Sequence, residues 1–438
     1  MAVKAEIVSK DTIKPSSPTP DHLRDFKISL LDQLAPPSFY IPILLFYSAS
    51  DINAFDSDFE TISHKLKASL SHVLTLYYQF CGRLKGNSII ECNNEGVLFI
   101  ESRVPIELSN IFEAPQLHDI TELFPFDPYN PGTEHKENMA VQLNQFTCGG
   151  IAVGACFSHK VADGSTAALF LNAWASTSNG KGNNVVAPPQ MAEATLLFPP
   201  RNIEVDMMTR GMVGHKNIVT KRFMFNETNI SRLRQKLGCC NFNPTRVEAV
   251  TALVWKSSLA AAKATSGEQR FPASMMSHAV NIRSRMASML SKHSIGNLWQ
   301  QAVSPLVEVK GEVGLHDLVE IVRNTIRKID GDYISKLQSV EFVKVIESLK
   351  EARTMASKKG IPCYSFSSWI RFGFYELDFG WGKPSYVRTI GVPIKNVVIL
   401  MSTKDGNGIE AWVTLATHDM VEFERNPELL DFASFDPI

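Results

Sequence analysis

Residues 150–176 run GIAVGACFSHKVADGSTAALFLNAWAS. The opening, through Ser158, is an unbroken run of apolar and small residues, the pattern of a strand covered on both faces. From Ser165 the period changes. Ala167, Phe170, Leu171 and Trp174 fall on one stripe, so a helix is expected as far as Ser176. His159 and Asp163 then lie on the crossover from strand to helix, where backbone turns sharply and side chains can face a cleft. Two readings of the pair stand at this point. Either Asp163 caps the helix and His159 is an ordinary loop histidine, or both belong to a catalytic centre. Alternation along the strand adds a constraint. Positions 157 and 159 share one face and 156 and 158 the other, so Cys156 and Ser158 should point away from His159.

Strands and helices extend to either side. Toward the N-terminus, Lys14–Pro20 reads as an extended lead-in and Ile41–Tyr47 (IPILLFY) as a buried strand. Phe59–Leu76 carries Ile62, Leu66, Leu70, Val73 and Leu74 on one helical face. Ser88–Cys92 and Val97–Ile100 read as a hairpin turning at 93–96, and Val141–Phe146 as a strand joined to the opening run by a Gly149–Gly150 turn. Toward the C-terminus the texture changes at Ser176–Gln190 (STSNGKGNNVVAPPQ) and stays polar to about Lys216, a linker. Beyond it come a strand at Val219–Phe225 and a helix at Glu227–Leu237. A second helix is opened by Pro244 and Thr245 and carries Val247, Val250, Thr251 and Val254. Met276–Ile282 is a strand, Leu315–Lys328 and Val340–Lys350 are helical, Val397–Met401 and Ile409–Leu415 are strands, and His418–Leu430 is helical. No internal sequence repeat is visible. The expected division is residues 1–180, a linker at 181–216, and residues 217–438, two α/β halves whose mixed order argues against a TIM barrel or one doubly wound sheet.

Composition narrows the function classes. The chain has 438 residues, more than one ordinary domain, and its 44% hydrophobic and 20% charged content is globular. With 44 Lys plus Arg against 45 Asp plus Glu, no global field attracts nucleic acid or an anionic membrane. The first twenty residues lack the apolar run of a signal peptide, and apolar stretches elsewhere fall short of the ~20 residues that cross a bilayer. A cytosolic protein is expected. The seven cysteines (Cys81, Cys92, Cys148, Cys156, Cys239, Cys240 and Cys363) are odd in number and form no CxxC pair, so reduced thiols are expected. Phosphate-binding, dinucleotide, serine-elbow and zinc-helix fingerprints are absent, and no metal is expected.

A second signature lies at 378–382, DFGWG, followed by Lys383 and Pro384. Two glycines around a tryptophan imply tight turning beside a bulky anchor, a structural role. HKVADG (159–164) and DFGWG together resemble the HxxxDG and DFGWG motifs of the BAHD acyltransferases of plant specialised metabolism. NPTRVEAVTALVWK (243–256), AVNIRSRM (279–286), SIGNL (294–298) and SSWIRFGFYELDFGWGKP (367–384) extend the resemblance over nearly the whole chain, as do IKPSSPTP, SLLDQ and IPILLFY near the start.

The resemblance implies two chloramphenicol acetyltransferase-like α/β domains, each a mixed sheet with helices. Donor and acceptor would enter a channel at their interface from opposite sides, with His159 midway. It implies acyl transfer from an acyl-CoA co-substrate, acetyl-CoA first among them, to a hydroxyl of an alkaloid or terpenoid. An N-acyltransferase, an acylsugar acyltransferase or a non-catalytic metabolite-binding member remain open. The catalytic set it implies is His159, Asp163 and Asp378. His159 is the general base, since neutral imidazole suits a weakly acidic hydroxyl. Asp163 turns from the pocket to pair with Arg283, and Asp378 is read on its own surroundings as a loop anchor. Ser367 and Trp369 would serve the oxyanion and Asn297 the pocket, while Gly164, Thr245 and Arg246 would lie along CoA. No permanent cofactor is implied. The partners are acyl-CoA and a small-molecule acceptor, with no nucleic acid and no membrane, and the chain acts as a monomer.

Overall fold

The computed structural model describes residues 3–36, 39–53, 58–113, 119–132, 135–180, 188–203, 217–238, 241–266, 273–308 and 313–435. Cys239, Cys240 and two pieces of the expected linker, 181–187 and 204–216, lie outside them.

Among the described residues, two six-stranded sheets carry the chain. The first has the order β1 (Glu6–Ile13), β6 (Val97–Val104), β7 (Met139–Phe146), β8 (Ile151–Ser158), β3 (Tyr40–Tyr47), β13 (Tyr386–Arg388). The second has the order β11 (Trp299–Val303), β10 (Met275–Asn281), β12 (Cys363–Ser368), β14 (Val397–Ser402), β15 (Ile409–Ala416), β9 (Ile218–Phe225). A three-stranded sheet joins β2 (Asp25–Lys27), β5 (Ile89–Glu91) and β4 (Arg83–Lys85). Every residue of β8 is buried, as its unbroken apolar run requires.

The helices used below are α1 (Leu30–Gln33), α2 (Phe59–Leu76), α3 (Gly164–Ser178), α4 (Glu193–Leu197), α5 (Arg246–Ser266) and α6 (Thr417–Glu424). The expected apolar face of α2 is buried, and Asp58 caps its start by accepting from the Thr61 N–H at 2.7 Å. Asp163 caps α3 in the same way.

The two units repeat one topology. In the first, β6 runs parallel to β7, β7 and β8 form an antiparallel pair, β3 flanks β8, and α3 follows β8 to pack on α2. In the second, β12 runs parallel to β14, β14 and β15 pair, β9 flanks β15, and α6 follows β15 to pack on α5. The repeat invisible in the residues is thus present in the architecture, because burial constrains polarity and size more than identity.

Three expectations need correction. Residues 88–100 are not a hairpin. β5 pairs with β2 and β4, while β6 pairs with β1 and β7. The N-terminal segment read as lead-in supplies β1, so β6 already has a partner on each side. The described end of the linker is packed structure: Gln190 bridges to Ser294, and Ala194 of α4 and Phe198 are buried against residues of both halves. The second half also does not stay whole. β13 adds to the first sheet beside β3, and Leu377, Phe379 and Trp381 are buried in the first core with Tyr47 and Trp174. DFGWG therefore belongs to the first unit, drawn there by its rings.

A cavity of about 310 Å³ opens between the units. Its first-unit wall includes the start of β3 and His159, and its second-unit wall includes β10, β12 and the segment ending at Phe372.

Candidate active site

The strand-to-helix crossover brings His159 to the cavity wall directly after β8. Its ring is fixed from behind. His159 Nδ1 lies 2.9 Å from Asn297 Oδ1. The Asn297 amide nitrogen donates to Asp32 Oδ1 at 2.9 Å and to the His159 carbonyl at 2.7 Å, so its oxygen must face the imidazole. The Trp299 indole N–H also points at that oxygen, at 3.3 Å. An oxygen flanked this way only accepts, and His159 Nδ1 must therefore carry the proton. Nε2 is left as the bare acceptor. Burial holds the imidazole below its ordinary pKa, against the upward pull of Asp163 and the Asn297 hydrogen bond. The ring is thus neutral at neutral pH, a group able to take a proton.

Asp32 is the base of this chain of contacts. Besides Asn297 Nδ2, its Oδ1 accepts the Asn297 backbone N–H at 2.6 Å. Oδ2 accepts the Ser29 hydroxyl at 2.6 Å and the Ser29 N–H at 2.8 Å. Burial raises its pKa and these donors pull it back. Four donors around one carboxyl suit the ionised form. Lys160 locks the short helix α1 in place. Its buried ammonium donates to the Gln33 carbonyl at 2.6 Å and to Asn87 Oδ1 at 2.9 Å, and burial pushes its pKa down to about 8. Sequence reading missed Ser29, Asp32 and Lys160 as parts of the site. The signal available was Ser-x-x-Asp at 29–32, a capping box, which the structure confirms at α1.

Asp163 meets Arg283 through two hydrogen bonds, Nη1 to Oδ2 at 2.7 Å and Nη2 to Oδ1 at 3.1 Å, with both side chains buried. Oδ1 also accepts the Thr166 N–H at 2.7 Å and Oδ2 the Leu298 N–H at 3.1 Å. Cap and ion pair are therefore both present. Arg283 spends its remaining donors on Thr166 and on the carbonyls of Ser294 and Gly296. The pair ties the crossover to the second unit.

The other expected site residues divide. Ser367, Trp369 and Gly164 line the cavity. A Cβ on Gly164 would stand 2.8 Å from Phe372 Cε2 and 3.6 Å from Trp369 Nε1, so glycine lets the two walls close on each other. Asn297 does not line the cavity but sits behind His159, which corrects its placement as a pocket residue. Asp378 is also outside the cavity. Its Oδ1 accepts the N–H groups of Gly380 at 2.8 Å and Gly382 at 3.1 Å, and Oδ2 accepts from Asn179 at 2.8 Å. Both glycines have left-handed φ, 107° and 101°, so Asp378 fixes a loop only glycines can form. Thr245 and Arg246 are likewise not at the cavity. Thr245 exchanges hydrogen bonds with Glu248 at the start of α5, and Arg246 donates to the carbonyls of Gly406 and Asn407. Cys156 and Ser158 are buried outside the cavity. Among the described residues no cluster could hold a metal ion, and no helix is long and apolar enough to cross a membrane.

A family model described as the Transferase family matches residues 3–430. The chain is 36% identical to a protein named as the limonoid 7-O-acetyltransferase of Citrus sinensis, over 99% of each chain. A solved structure of vinorine synthase superposes with a TM-score of 0.82 at 34% identity, covering 99% of both chains. At 17% identity, TRI101 of F. sporotrichioides, solved with coenzyme A and T-2, shares the fold with a TM-score of 0.73 over 94% of this chain and 99% of its own.

Proposed function

The chain belongs to the BAHD acyltransferases, and from that footing we propose that it transfers an acyl group, acetyl in the first instance, from acyl-CoA to a hydroxyl of a plant specialised metabolite of the alkaloid or terpenoid kind. One observation carries the reading: the bare Nε2 of a neutral imidazole at the wall of a cavity built from both units. The acceptor hydroxyl attacks the thioester carbonyl while His159 Nε2 takes its proton. Charge collects on the carbonyl oxygen, to which Trp369 and Ser367, both at the cavity wall, would donate. Collapse breaks the C–S bond, and the CoA thiolate leaves with the proton from His159. Asp163 and Arg283 hold the crossover, and Asp32 with Asn297 holds the tautomer. Names of relatives support the substrate class: limonoid 7-O-acetyltransferase and vinorine synthase. The coenzyme A in the TRI101 complex supports acyl-CoA as donor. Both cavity walls come from one chain, which supports a monomer, and the described cysteines are free, in keeping with the cytosol.

The test is a panel of acyl-CoA donors against candidate alcohols and amines, with CoA release and product mass as readouts. Ester formation with CoA release in equal amount is expected. Amide products alone would replace the O-transfer reading, and no turnover across the panel would remove it.

A further inference from the structure

The cavity is deep in aromatic and aliphatic surface and poor in charge. Tyr129, Ile41, Pro42 and Phe39 line it from the first unit, and Trp369 and Phe372 from the second. Among the described residues the only charged side chain at its wall is Asp163. That carboxylate is spent: each oxygen accepts one Arg283 N–H and one backbone N–H. His159, the other titratable group of the usual range, is held neutral by burial. Asp32 lies behind Asn297 and not at the wall, and its oxygens hold four donors. Asp127 is near Tyr129, but it accepts the Tyr129 N–H at 3.0 Å as a turn cap and does not line the cavity. The polar part of the wall is neutral: Asn281, Gln301 and the serines of β12.

We infer that the acceptor is an uncharged, lipophilic alcohol, and that a protonated amine is excluded from the cavity for want of a counter-ion. The inference rests on the acyl-transfer reading and narrows it. A cation moved from water into an apolar cavity loses its hydration, and it is tolerated only where an opposite charge or a full set of acceptors replaces the water. Among the described residues no free carboxylate faces inward. A cation beside His159 would also oppose its proton uptake, since like charges lower an imidazole's basicity. A neutral ring system meets neither obstacle. Its apolar faces match the aromatic and aliphatic residues of the wall. A sugar fits poorly for the opposite reason, since its many hydroxyls need more partners than the apolar wall supplies.

The experiment uses the full chain, acetyl-CoA and a matched pair of tetracyclic secondary alcohols: one carbocyclic, the other with a ring carbon replaced by an N-methyl tertiary amine, which cannot itself be acylated. Turnover is followed by CoA release, and binding by quenching of tryptophan fluorescence, since Trp299 and Trp369 line the cavity. At pH 7 the neutral member should show at least tenfold higher kcat/KM and tighter quenching. Raising the pH toward the amine's own pKa should lower the amine's KM about tenfold per unit, as the uncharged form becomes available, and leave the neutral member's KM flat. Equal or better use of the amine at pH 7, with no pH dependence of its KM, overturns the inference. If neither alcohol is acetylated, the acyl-transfer reading is left to the donor and acceptor panel, and quenching decides here: preference for the neutral member sustains the inference, and preference for the amine or no binding of either ends it.

Discussion

The His159 ring is held by Asn297 and, behind it, Asp32, neither of which lines the cavity. The order Asp32, Asn297, His159 turns a carboxylate's negative charge into a fixed tautomer through one amide. Replacing His159 by Ala should leave the fold intact and lower kcat by roughly 10²–10⁴, with CoA affinity little changed. Retention of a tenth of the wild-type kcat would remove the base assignment. Asn297→Ala should cost about 10–100-fold in kcat, the usual scale for a group that orients another. KM should hold, and the acid limb of the pH profile should move, which a purely structural defect would not produce. For the unmodified enzyme that limb should lie below the ordinary histidine value of about 6.5, because burial depresses the folded pKa. The sign for stability follows. Below ~6.5 the unfolded chain binds the proton that the folded His159 refuses, so its contribution is intact above that pH and declines as pH falls through the folded pKa. Buried His278 shifts the same way and adds to the decline. The place of His159 at the head of the crossover was legible in the sequence through HKVADG. Its support was not, because Asp32 and Asn297 stand 265 positions apart, and nothing local to either shows that they meet.

At the scale of elements, the site is a crossover loop held at both ends. Asp163 caps α3 and grips Arg283, whose guanidinium also bonds carbonyls of the 294–296 segment. Removing one partner strands a buried charge, so Asp163→Asn or Arg283→Gln alone should destabilise by about 3–5 kcal/mol, and the double variant should cost less than the sum. Chemical denaturation of the four proteins reads the cycle, and strict additivity would mean that the pair is not coupled in solution. Asp378 calls for a different measurement. With its carboxylate on the N–H groups of Gly380 and Gly382, Asp378→Ala should lower Tm and activity together. An unchanged Tm with abolished chemistry would instead make it catalytic. Periodicity located α2, α3 and β8 because each is long and has a single buried pattern. It failed at 88–100, where the three-residue β5 pairs back to β4 and to β2 and not forward to β6, and at Phe198, where a polar stretch hides one aromatic residue that packs between halves.

At the scale of the whole molecule, two units of like topology supply opposite walls of one cavity, and the chain returns through β13 to close the first sheet. Two halves could be read from the sequence, but the return could not: a three-residue strand carries no periodic signal, and its pairing with β3 spans more than three hundred positions. The joint cavity bears on kinetics. Among the described residues no hydroxyl or thiol is hydrogen-bonded to the His159 ring, whose Nδ1 is taken by Asn297. Cys156, three residues before the base, is buried outside the cavity, and burial, aided by nearby Asp127, pushes its thiol well above the ordinary range. A thiol that stays protonated is a poor nucleophile. Ser158 is buried on the same strand face. Without an activated side chain to hold the acyl group, donor and acceptor must be bound together before any bond changes. Initial-rate lines at varied acceptor and several fixed donor concentrations should therefore intersect. Parallel lines, or an acetylated Cys156 peptide after incubation with acetyl-CoA alone, would show a covalent intermediate and take from His159 the role of activating the acceptor directly.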